Sequence, residues 1–153
     1  MSVTIYGSGQ IIVQTVQYVN TNTSSVGTGS WLQGNLSGSI TPKSASNKIL
    51  VIFDLANAYI NGSDVFTYIT RNGTNLFSSY TTGNSSRGGV TGYSVAMYSS
   101  GRCNPVITYL DSPATTSACT YSWHLYNATG STGYDNYPND RGVQTLTLME
   151  VSG

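Results

Sequence analysis

Alternation of apolar and polar residues predicts β-strands along most of this chain. The clearest alternation occupies 106–110 and 120–126, on either side of the turn-forming segment Asp111–Ser117, which contains Pro113. Alternating β-branched and aromatic residues are typical of strands. We therefore predict a β-hairpin at 106–127. Its second strand should turn one set of residues to the core and another outward; these are Tyr121, Trp123 and Leu125 inward, and His124 and Tyr126 outward.

Further strand patterns bring the expected total to about eight to ten. They lie at 11–19, 31–32 (which 36–40 extends or follows), 48–59, 65–71, 74–80, 93–98 and 143–151. The pair that flanks Asn72-Gly73 is predicted to form a hairpin, because this dipeptide accepts the positive φ angles of a type I′ turn. No segment shows the 3.6-residue periodicity of an amphipathic helix.

The segment Lys48–Tyr59 is apolar on both faces of a strand. One face carries Ile49, Val51, Phe53 and Leu55, and the other carries Leu50, Ile52 and Ala56. In an antiparallel sandwich, this pattern indicates that one face meets the core and a neighbouring subunit covers the other. We therefore predict a trimer interface formed by Leu50, Ile52, His124 and Tyr126.

Strand number and turn spacing together predict an all-β antiparallel sandwich. A jelly roll is favoured, since the long apolar first and last strands are expected to pair, and an immunoglobulin-like sandwich is the alternative. Length favours a single domain at 11–153. The small, polar residues of 1–10 are expected to form an N-terminal arm.

Charge is scarce, and this excludes several function classes. Charged residues make up 8% of the chain, and six Lys and Arg balance six Asp and Glu. A nucleic-acid partner would require a basic patch, and an electrostatic membrane anchor would require basic clusters. Neither a signal peptide nor a membrane-spanning apolar run is apparent, so we expect synthesis in a cytoplasm and no membrane association. A near-neutral surface suits a subunit of a permanent assembly.

Residues for catalysis are sparse. His124 is the sole histidine and lies within a predicted strand, and Glu150 is the sole glutamate. The Gly-x-Ser-x-Gly nucleophile motif and phosphate-binding glycine motifs are absent. We predict that the chain is not an enzyme and needs no cofactor, and we interpret His124 as a structural or interface residue.

The segment Gly130–Asp140 is a long loop rich in Gly, Asn, Asp and Tyr. Tyrosine among small polar residues is a composition typical of recognition surfaces. We predict a ligand-facing loop for a carbohydrate or protein partner, with packing of the sandwich rim as the equally weighted alternative. The predicted ligand-facing residues are Tyr134, Asn136 and Tyr137 in this loop and Arg141 directly after it. Asp135, Asn136, Asn139 and Asp140 could also offer oxygens to Ca²⁺, but their spacing favours a plain polar loop.

Cys103 and Cys119 are predicted to be free thiols. In the expected hairpin Cys103 would lie near Leu125–Tyr126 and Cys119 near Tyr109–Leu110, which does not place the sulfurs opposite each other. Their spacing matches no metal site.

Four segments resemble a β-domain that recurs in structural proteins of tailed phages, especially marine and cyanobacterial phages. They are Ile40-Thr-Pro-Lys-Ser-Ala-Ser-Asn-Lys-Ile-Leu-Val51, Ile69-Thr-Arg-Asn-Gly-Thr74, Tyr109-Leu-Asp-Ser-Pro-Ala-Thr-Thr-Ser117 with Thr120-Tyr121, and Gly142-Val-Gln-Thr-Leu-Thr-Leu-Met-Glu-Val151. The resemblance implies a virion protein with a trimeric jelly-roll head similar to tumour-necrosis-factor-like folds. It brings no catalytic residues, and the two cysteines depart from the pattern.

Two functions follow as expectations. The first is a homotrimeric capsid decoration, or cement, protein exposed on the virion, which contacts the major capsid protein or another virion protein. The arm would then touch the capsid through Val3, Ile5 and Tyr6. The second is a receptor-binding tip of a tail fibre, whose tyrosine loop recognises a glycan or protein on the host surface.

Overall fold

The computed structural model describes residues 9, 11–60, 65–77, 93–95, 101–127, 132–139 and 142–153. These residues form thirteen β-strands, and none of them belongs to a helix long and apolar enough to cross a membrane. The strands are β1 (Ile12–Asn20), β2 (Ser25–Gly27), β3 (Ser30–Ile40), β4 (Lys48–Asp54), β5 (Ala58–Ile60), β6 (Val65–Arg71), β7 (Thr74–Asn75), β8 (Tyr93–Val95), β9 (Gly101–Cys103), β10 (Val106–Asp111), β11 (Cys119–Asn127), β12 (Thr132–Tyr134) and β13 (Gln144–Val151).

The strands form three sheets, and all described pairings are antiparallel. Sheet 1 has the order β1-β13-β4-β10. Sheet 2 has the order β3-β11-β6-β7, with β8 also beside β6. A small sheet has the order β2-β12-β5-β9. The prediction of an all-β antiparallel fold is confirmed.

Sheets 1 and 2 share one hydrophobic core. Sheet 1 contributes the inward face of β4 and β13, and sheet 2 contributes the inward face of β11. The largest of these side chains have at most 1% of their surface exposed; they are Ile49, Val51, Phe53, Leu146, Leu148, Tyr121, Trp123 and Leu125. Each such burial is worth about 1.5–3 kcal/mol for an aliphatic or phenyl side chain. Two sheets on one core are consistent with a β-sandwich, and the predicted inward faces of 48–55 and 121–125 are confirmed.

Glycines on β3 make room for two large aromatic rings, that of Trp123 in the core and that of Tyr18 packed against it. A Cβ atom at Gly34 would lie 2.1 Å from Nε1 of Trp123, and one at Gly38 would lie 2.1 Å from Cδ2 of Tyr18. Both glycines are on the inward face of β3, so the rings can lie directly against the backbone. A side chain at either position would overlap one of these rings.

The predicted hairpin at 106–127 is wrong. Strand β10 pairs with β4 in sheet 1, whereas β11 pairs with β3 and β6 in sheet 2. The connection, which includes Ala114 with φ of 51°, carries the chain from one sheet to the other. Period-two alternation reports that a strand has one buried face, and both strands satisfy it without being neighbours.

The second predicted hairpin is confirmed. Arg71 of β6 lies opposite Thr74 of β7, and Asn72 and Gly73 have φ of 49° and 81°. Both angles are positive, as a type I′ turn requires. The pairing of the first and last long strands is also confirmed, because β1 lies beside β13.

The predicted strand 48–59 is two strands rather than one. Strand β4 ends at Asp54, and β5 begins at Ala58 in the small sheet. Asn57 between them has φ of 57°, which breaks the extended backbone. The break matters because it delivers Tyr59 to the small sheet.

A buried carboxylate joins the two large sheets. Asp111 of β10 accepts hydrogen bonds from Nη1 of Arg71 on β6 and from the hydroxyl of Tyr121 on β11, each at 2.7 Å. Desolvation by burial, followed by the bond to Asp111, raises the pKa of Tyr121 far above its usual value. Asp111 was expected in the turn, so its role in joining the sheets was not predicted.

Cys119 is a free, buried thiol, as predicted for this residue. Its predicted neighbours are wrong, since it lies opposite Ile40 of β3 rather than near Tyr109–Leu110. Cys103 lies opposite Ala58 in the small sheet and not near Leu125–Tyr126. Both errors follow from the incorrect hairpin.

A candidate recognition surface on the small sheet

One register row of the small sheet collects aromatic and cationic side chains. Ser25 of β2 lies opposite Tyr134 of β12, Tyr134 lies opposite Tyr59 of β5, and Tyr59 lies opposite Arg102 of β9. Opposed residues in a sheet share a face. We call these four residues, together with Tyr137, the tyrosine row.

The opposite face of the small sheet turns inward. Its register row contains Val26 and Gly133, both buried, and the next row contains Ala58, which is 2% exposed. Because side chains alternate between faces, the tyrosine row must point away from these residues. Ser25 and Arg102 are exposed, and the three tyrosines are half-buried.

Three tyrosine rings meet at close range on this surface. Ring centroids of Tyr59 and Tyr137 are 4.6 Å apart, those of Tyr134 and Tyr137 are 5.8 Å apart, and those of Tyr59 and Tyr134 are 6.1 Å apart. The guanidinium carbon of Arg102 lies 4.7 Å from the centre of the Tyr137 ring. These distances are typical of aromatic pairs and of a cation–π contact, so each ring orients its neighbours.

Asp135 fixes the strand that carries Tyr134. Its buried carboxylate accepts hydrogen bonds from the backbone N–H groups of Ser24 and Asn35, the latter at 2.9 Å. Desolvation by burial raises the pKa of Asp135 above its ordinary value, although these backbone donors act in the opposite direction. The carboxylate thus ties β12 to the chain before β2 and to β3.

Asn136 holds the loop that follows Asp135. Its Nδ2 donates to the carbonyl of Gly142 at 2.9 Å, and its Oδ1 accepts from the N–H of Gly142 at 3.0 Å. Asn136 is 0% exposed, so the prediction that it faces a ligand is wrong. It closes the base of the loop instead, while the backbone N–H of Tyr137 donates to the carbonyl of Asn57 at 2.9 Å.

The predicted loop residues therefore separate into different roles. Tyr134 and Tyr137 lie together on the outward face, whereas Asn136 lies beneath it, and Arg141 is outside the described residues. Packing of the tyrosines on one another also agrees with the alternative of a packed rim, so the ligand-facing role stays a prediction. Tyr59 and Arg102 were missed, since they are distant in sequence and only strand pairing brings them here.

The residues predicted for the trimer interface fall on two faces. Leu50 and Ile52 are half-buried on the outward face of β4 in sheet 1. His124 lies on the outward face of β11 in sheet 2, and the side chain of Tyr126 is outside the described part. These residues do not form one continuous patch.

His124 belongs to an aromatic stack on the outer face of sheet 2. Its ring is 4.6 Å from the ring of Tyr68 with 8° between the planes, and the edge of Trp31 packs at 4.5 Å on Tyr68. Desolvation lowers the pKa of His124, which favours the neutral ring at neutral pH. Its Nε2 lies 3.4 Å from Oγ1 of Thr70, a weak contact with a buried hydroxyl.

The tyrosine row presents three phenol groups, one hydroxyl and one guanidinium. Both carboxylate oxygens of Asp135 accept backbone N–H groups and serve the chain itself. Over the described residues, no three His, Cys, Asp or Glu side chains are grouped closely enough to hold a metal ion. Rings, hydroxyls and a guanidinium remain as the groups that a partner would meet.

The predicted capsid-contact residues Val3, Ile5 and Tyr6 lie outside the described residues. Comparison of the chain with protein-family models and with curated proteins finds no match.

Proposed function

We propose that this chain is a phage virion structural protein, a homotrimeric capsid decoration protein that stabilises the capsid shell. The observation that carries the proposal is the outward face of sheet 1. This face exposes Val19, Val106 and Leu110 and carries the half-buried Leu50 and Ile52. Packing against copies of the chain would remove these apolar side chains from water.

The register of sheet 1 places three apolar side chains beside one another in one row of this face. Leu110 of β10 lies opposite Leu50 of β4, and Leu50 lies opposite Met149 of β13. In the next row Ile52 lies between Thr108 and Thr147. Leu110 is 43% exposed and Leu50 is half-buried, so the row is accessible in the single chain. Cβ atoms of directly opposed residues are about 5 Å apart, so these side chains form one surface.

Strand order supports a jelly roll as the specific architecture. The chain passes from β1 in sheet 1 to β3 in sheet 2, back to β4, across to β6, back to β10, across to β11 and back to β13. Successive long strands thus alternate between the two sheets, as in a double-sheet jelly roll built from Greek keys. The resemblance to phage β-domains with trimeric jelly-roll heads points the same way.

The position of His124 on sheet 2 removes it from the proposed trimer interface. The outer faces of sheets 1 and 2 point in opposite directions, and patches that face opposite ways generate an open stack rather than a closed ring. The proposal therefore keeps Leu50 and Ile52 as interface residues. The stack of Trp31, Tyr68 and His124 would meet a different surface, such as another virion protein.

Light scattering on the purified chain tests self-association. The wild type should have the mass of three chains at micromolar concentration. Ile52→Arg should shift the mass towards one chain, because it places a charge in the centre of the apolar face. Ser37→Arg, on the exposed face of β3 in sheet 2, is the matched control and should stay trimeric. A monomeric wild type would contradict the trimer.

Copy number per particle tests the location. A decoration protein should be present in hundreds of copies on the capsid lattice, as measured by quantitative mass spectrometry of particles. A few copies at the tail would contradict the decoration role.

The second candidate is a receptor-binding part of a tail fibre, and the tyrosine row favours it specifically. Three close tyrosines and an exposed arginine on one face match the composition of recognition surfaces. Labelling of the chain at tail tips, together with loss of host adsorption in a Tyr59→Ala variant, would support this function. Adsorption unaffected by that change would count against it.

A further inference from the structure

We infer that the fold binds internal water molecules where the small sheet joins sheet 2, at Asn127, Trp123 and Thr23. This inference goes beyond the proposed function and depends neither on trimer formation nor on recognition at the tyrosine row. It assigns a binding site for a small neutral ligand that donates and accepts hydrogen bonds at the same time.

Asn127 occupies an inward position where its neighbours on the same face are apolar. It is the last residue of β11 and follows Trp123 and Leu125 on that face, and 0% of its surface is exposed. Its carbonyl accepts from the backbone N–H of Gly29, between β2 and β3, at 2.7 Å. Its side-chain Nδ2 and Oδ1 are buried and have no hydrogen-bond partner within the described part of the chain. A carboxamide can donate and accept several hydrogen bonds, so the whole bonding capacity of this side chain is unused.

Trp123 presents a second buried donor without a partner. Its ring is 0% exposed, and among the described residues no acceptor bonds its indole Nε1. Gly34 lies directly against this nitrogen, since a Cβ atom at Gly34 would be 2.1 Å from it. The next residue, Asn35, donates its backbone N–H to the Asp135 carboxylate at 2.9 Å. The indole N–H therefore lies beside the segment that is bonded to Asp135.

The hydroxyl of Thr23 is the third group of this kind. Thr23 lies just before β2, and its Oγ1 is buried without a partner in the described ranges. The next residue, Ser24, bonds Asp135 through both its backbone N–H and its carbonyl. Thr23 and Trp123 thus adjoin two segments that Asp135 joins, and both oxygens of that carboxylate already accept backbone N–H groups.

The shared location of these groups carries the inference. Over the described residues, all four buried side-chain atoms without partners belong to Asn127, Trp123 and Thr23. Buried polar groups in native proteins are nearly always bonded, to protein or to ordered water. Without water these four atoms would lose their hydration and gain nothing in return. Internal water supplies the bonds that the chain itself does not.

The chemistry of the atoms selects water over a cation. Asn127 and Trp123 present N–H donors, which repel a cation, beside the Oδ1 and Oγ1 atoms that would attract one. The nearby Asp135 carboxylate is engaged by the backbone through both oxygens. Water serves donors and acceptors equally, and a buried molecule makes about three hydrogen bonds.

NMR of the full chain tests for the water directly. Cross-relaxation with water should appear at the side-chain amide protons of Asn127 and at the indole proton of Trp123. Its sign should be that of a molecule that tumbles with the protein, which separates bound water from proton exchange. The chain has two tryptophans, so Trp31→Phe removes the other indole signal and assigns that of Trp123.

Two variants of similar side-chain size test the inference by the sign of a stability change. Asn127→Leu and Thr23→Val replace the unpaired polar atoms by apolar atoms. If water satisfies these atoms, the variants lose hydrogen bonds and the urea midpoint should fall. If the atoms are dry, the midpoint should rise, because an uncompensated buried polar group is removed. Thr145→Val, on the outward face of β13, is the control for exchange of a hydroxyl for a methyl group and should leave the midpoint unchanged.

Bound-water signals at both groups, together with lower midpoints in both variants, are the expected result. Absence of the signals, or a rise of the midpoint in both variants, would overturn the inference and show a dry junction. A rise in one variant alone would overturn the site at that residue. If added Ca²⁺ or K⁺ at constant ionic strength raised the wild-type midpoint and no water signal appeared, a cation would take the place of water and the inference would also fail.

Discussion

The two ends of β13 differ in how their buried polar side chains are hydrogen-bonded. The core face of this strand carries Gln144, Leu146, Leu148 and Glu150, all with no exposed surface. Its middle is apolar and its ends are polar, and about 20 Å of extended strand separates Gln144 from Glu150. Each end brings a buried carboxylate into hydrogen bonds with distant segments, but the pKa values of these carboxylates move in opposite directions.

The Glu150 end encloses its charge with donors. Gln14 Nε2, Asn47 Nδ2 and the backbone N–H of Lys43 each donate to the Glu150 carboxylate at 2.6 Å. Desolvation opposes ionisation, but the bonds from Asn47, Gln14, Lys43 and the backbone of Ser44 outweigh it and lower the pKa. The ionised carboxylate of Glu150 therefore links β1, β13 and the turn before β4.

The Gln144 end relies on neutral groups around Asp135. Gln144 Nε2 donates to the carbonyl of Asp135 at 2.6 Å and to that of Ala56 at 3.2 Å, while its Oε1 accepts from Asn20 at 3.1 Å. At Asp135 the effect of desolvation exceeds that of the backbone hydrogen bonds, so the pKa of this carboxyl group is raised. A carboxylate that is less well solvated contributes less stability, yet this end carries the tyrosine row.

The buried polar groups at the two ends of β13 therefore have different structural consequences. One end of the sandwich is secured by a fully bonded ion and presents no cluster of aromatic side chains among its described contacts. The other end uses buried polar side chains to position an exposed surface. We expect substitutions at the first end to change the free energy of unfolding, and those at the second to change the tyrosine row as well.

The largest effect is expected from Glu150→Ala. It leaves two amide side chains and backbone N–H groups without their acceptor in a buried place, so the free energy of unfolding should fall by about 3–5 kcal/mol. Urea denaturation measures this. Thr145→Val, on the outward face of the same strand, is the control and should change it by less than about 0.5 kcal/mol. A loss at Glu150 no greater than the control's would refute the account of this end.

Asp135→Ala should lower the free energy of unfolding by about 2–3 kcal/mol, because it leaves the backbone N–H groups of Ser24 and Asn35 without an acceptor. Unlike Glu150→Ala, it should also change the tyrosine region of the near-UV circular dichroism spectrum and weaken any ligand at the row. If both variants changed the spectrum alike, the two ends would not differ in the way proposed.

Much of the fold was accessible from the sequence because strand faces are a local property. The inward residues of 49–55 and 121–125 followed from alternation, and the Asn72-Gly73 turn followed from turn chemistry. The pairing of β1 with β13 followed from the expectation that long apolar first and last strands pair, as they do in a jelly roll. Partner choice is not local. Strands β10 and β11 were assigned to one hairpin although they lie in opposite sheets.

The candidate site was accessible only in part for the same reason. Tyr134 and Tyr137 were predicted to face a ligand because they are tyrosines in a polar loop. The composition of that loop does not indicate Tyr59 or Arg102. Their position depends on β5 and β9 pairing beside β12. The burial of Asn136 was equally hidden, because an asparagine that bonds a distant backbone and one that meets a ligand look alike in sequence.

A smaller effect is expected from Gln144→Met, which keeps the side-chain length but removes the bonds to Asp135, Ala56 and Asn20. The free energy of unfolding should fall by about 1–2 kcal/mol, since the carbonyls lose a donor while the new side chain still packs. The tyrosine spectrum should change less than in Asp135→Ala, because the carboxylate bonds to Ser24 and Asn35 persist. Hydrogen exchange at these two amides reports the difference, and rapid exchange at both in Gln144→Met would contradict it.

The smallest and most discriminating effect is on the pH dependence of stability. Glu150 has a folded pKa below its ordinary value of 4.5, so its contribution is complete above that value and is lost as pH falls through the folded pKa. Asp135 has a folded pKa above its ordinary value of 3.8, so the folded state binds the proton first and its contribution grows as pH falls towards 3.8.

Relative to wild type, Glu150→Gln should therefore lose less stability between neutral pH and the acid range, and Asp135→Asn should lose more. Denaturation at a series of pH values measures both slopes, and slopes that change in the same direction would mean that the two carboxylates are not oppositely shifted. Each variant replaces a carboxylate by an amide of the same shape. The direction in which the slope changes relative to wild type therefore reports the ionisation of that carboxylate, even where the amide also lowers stability at every pH.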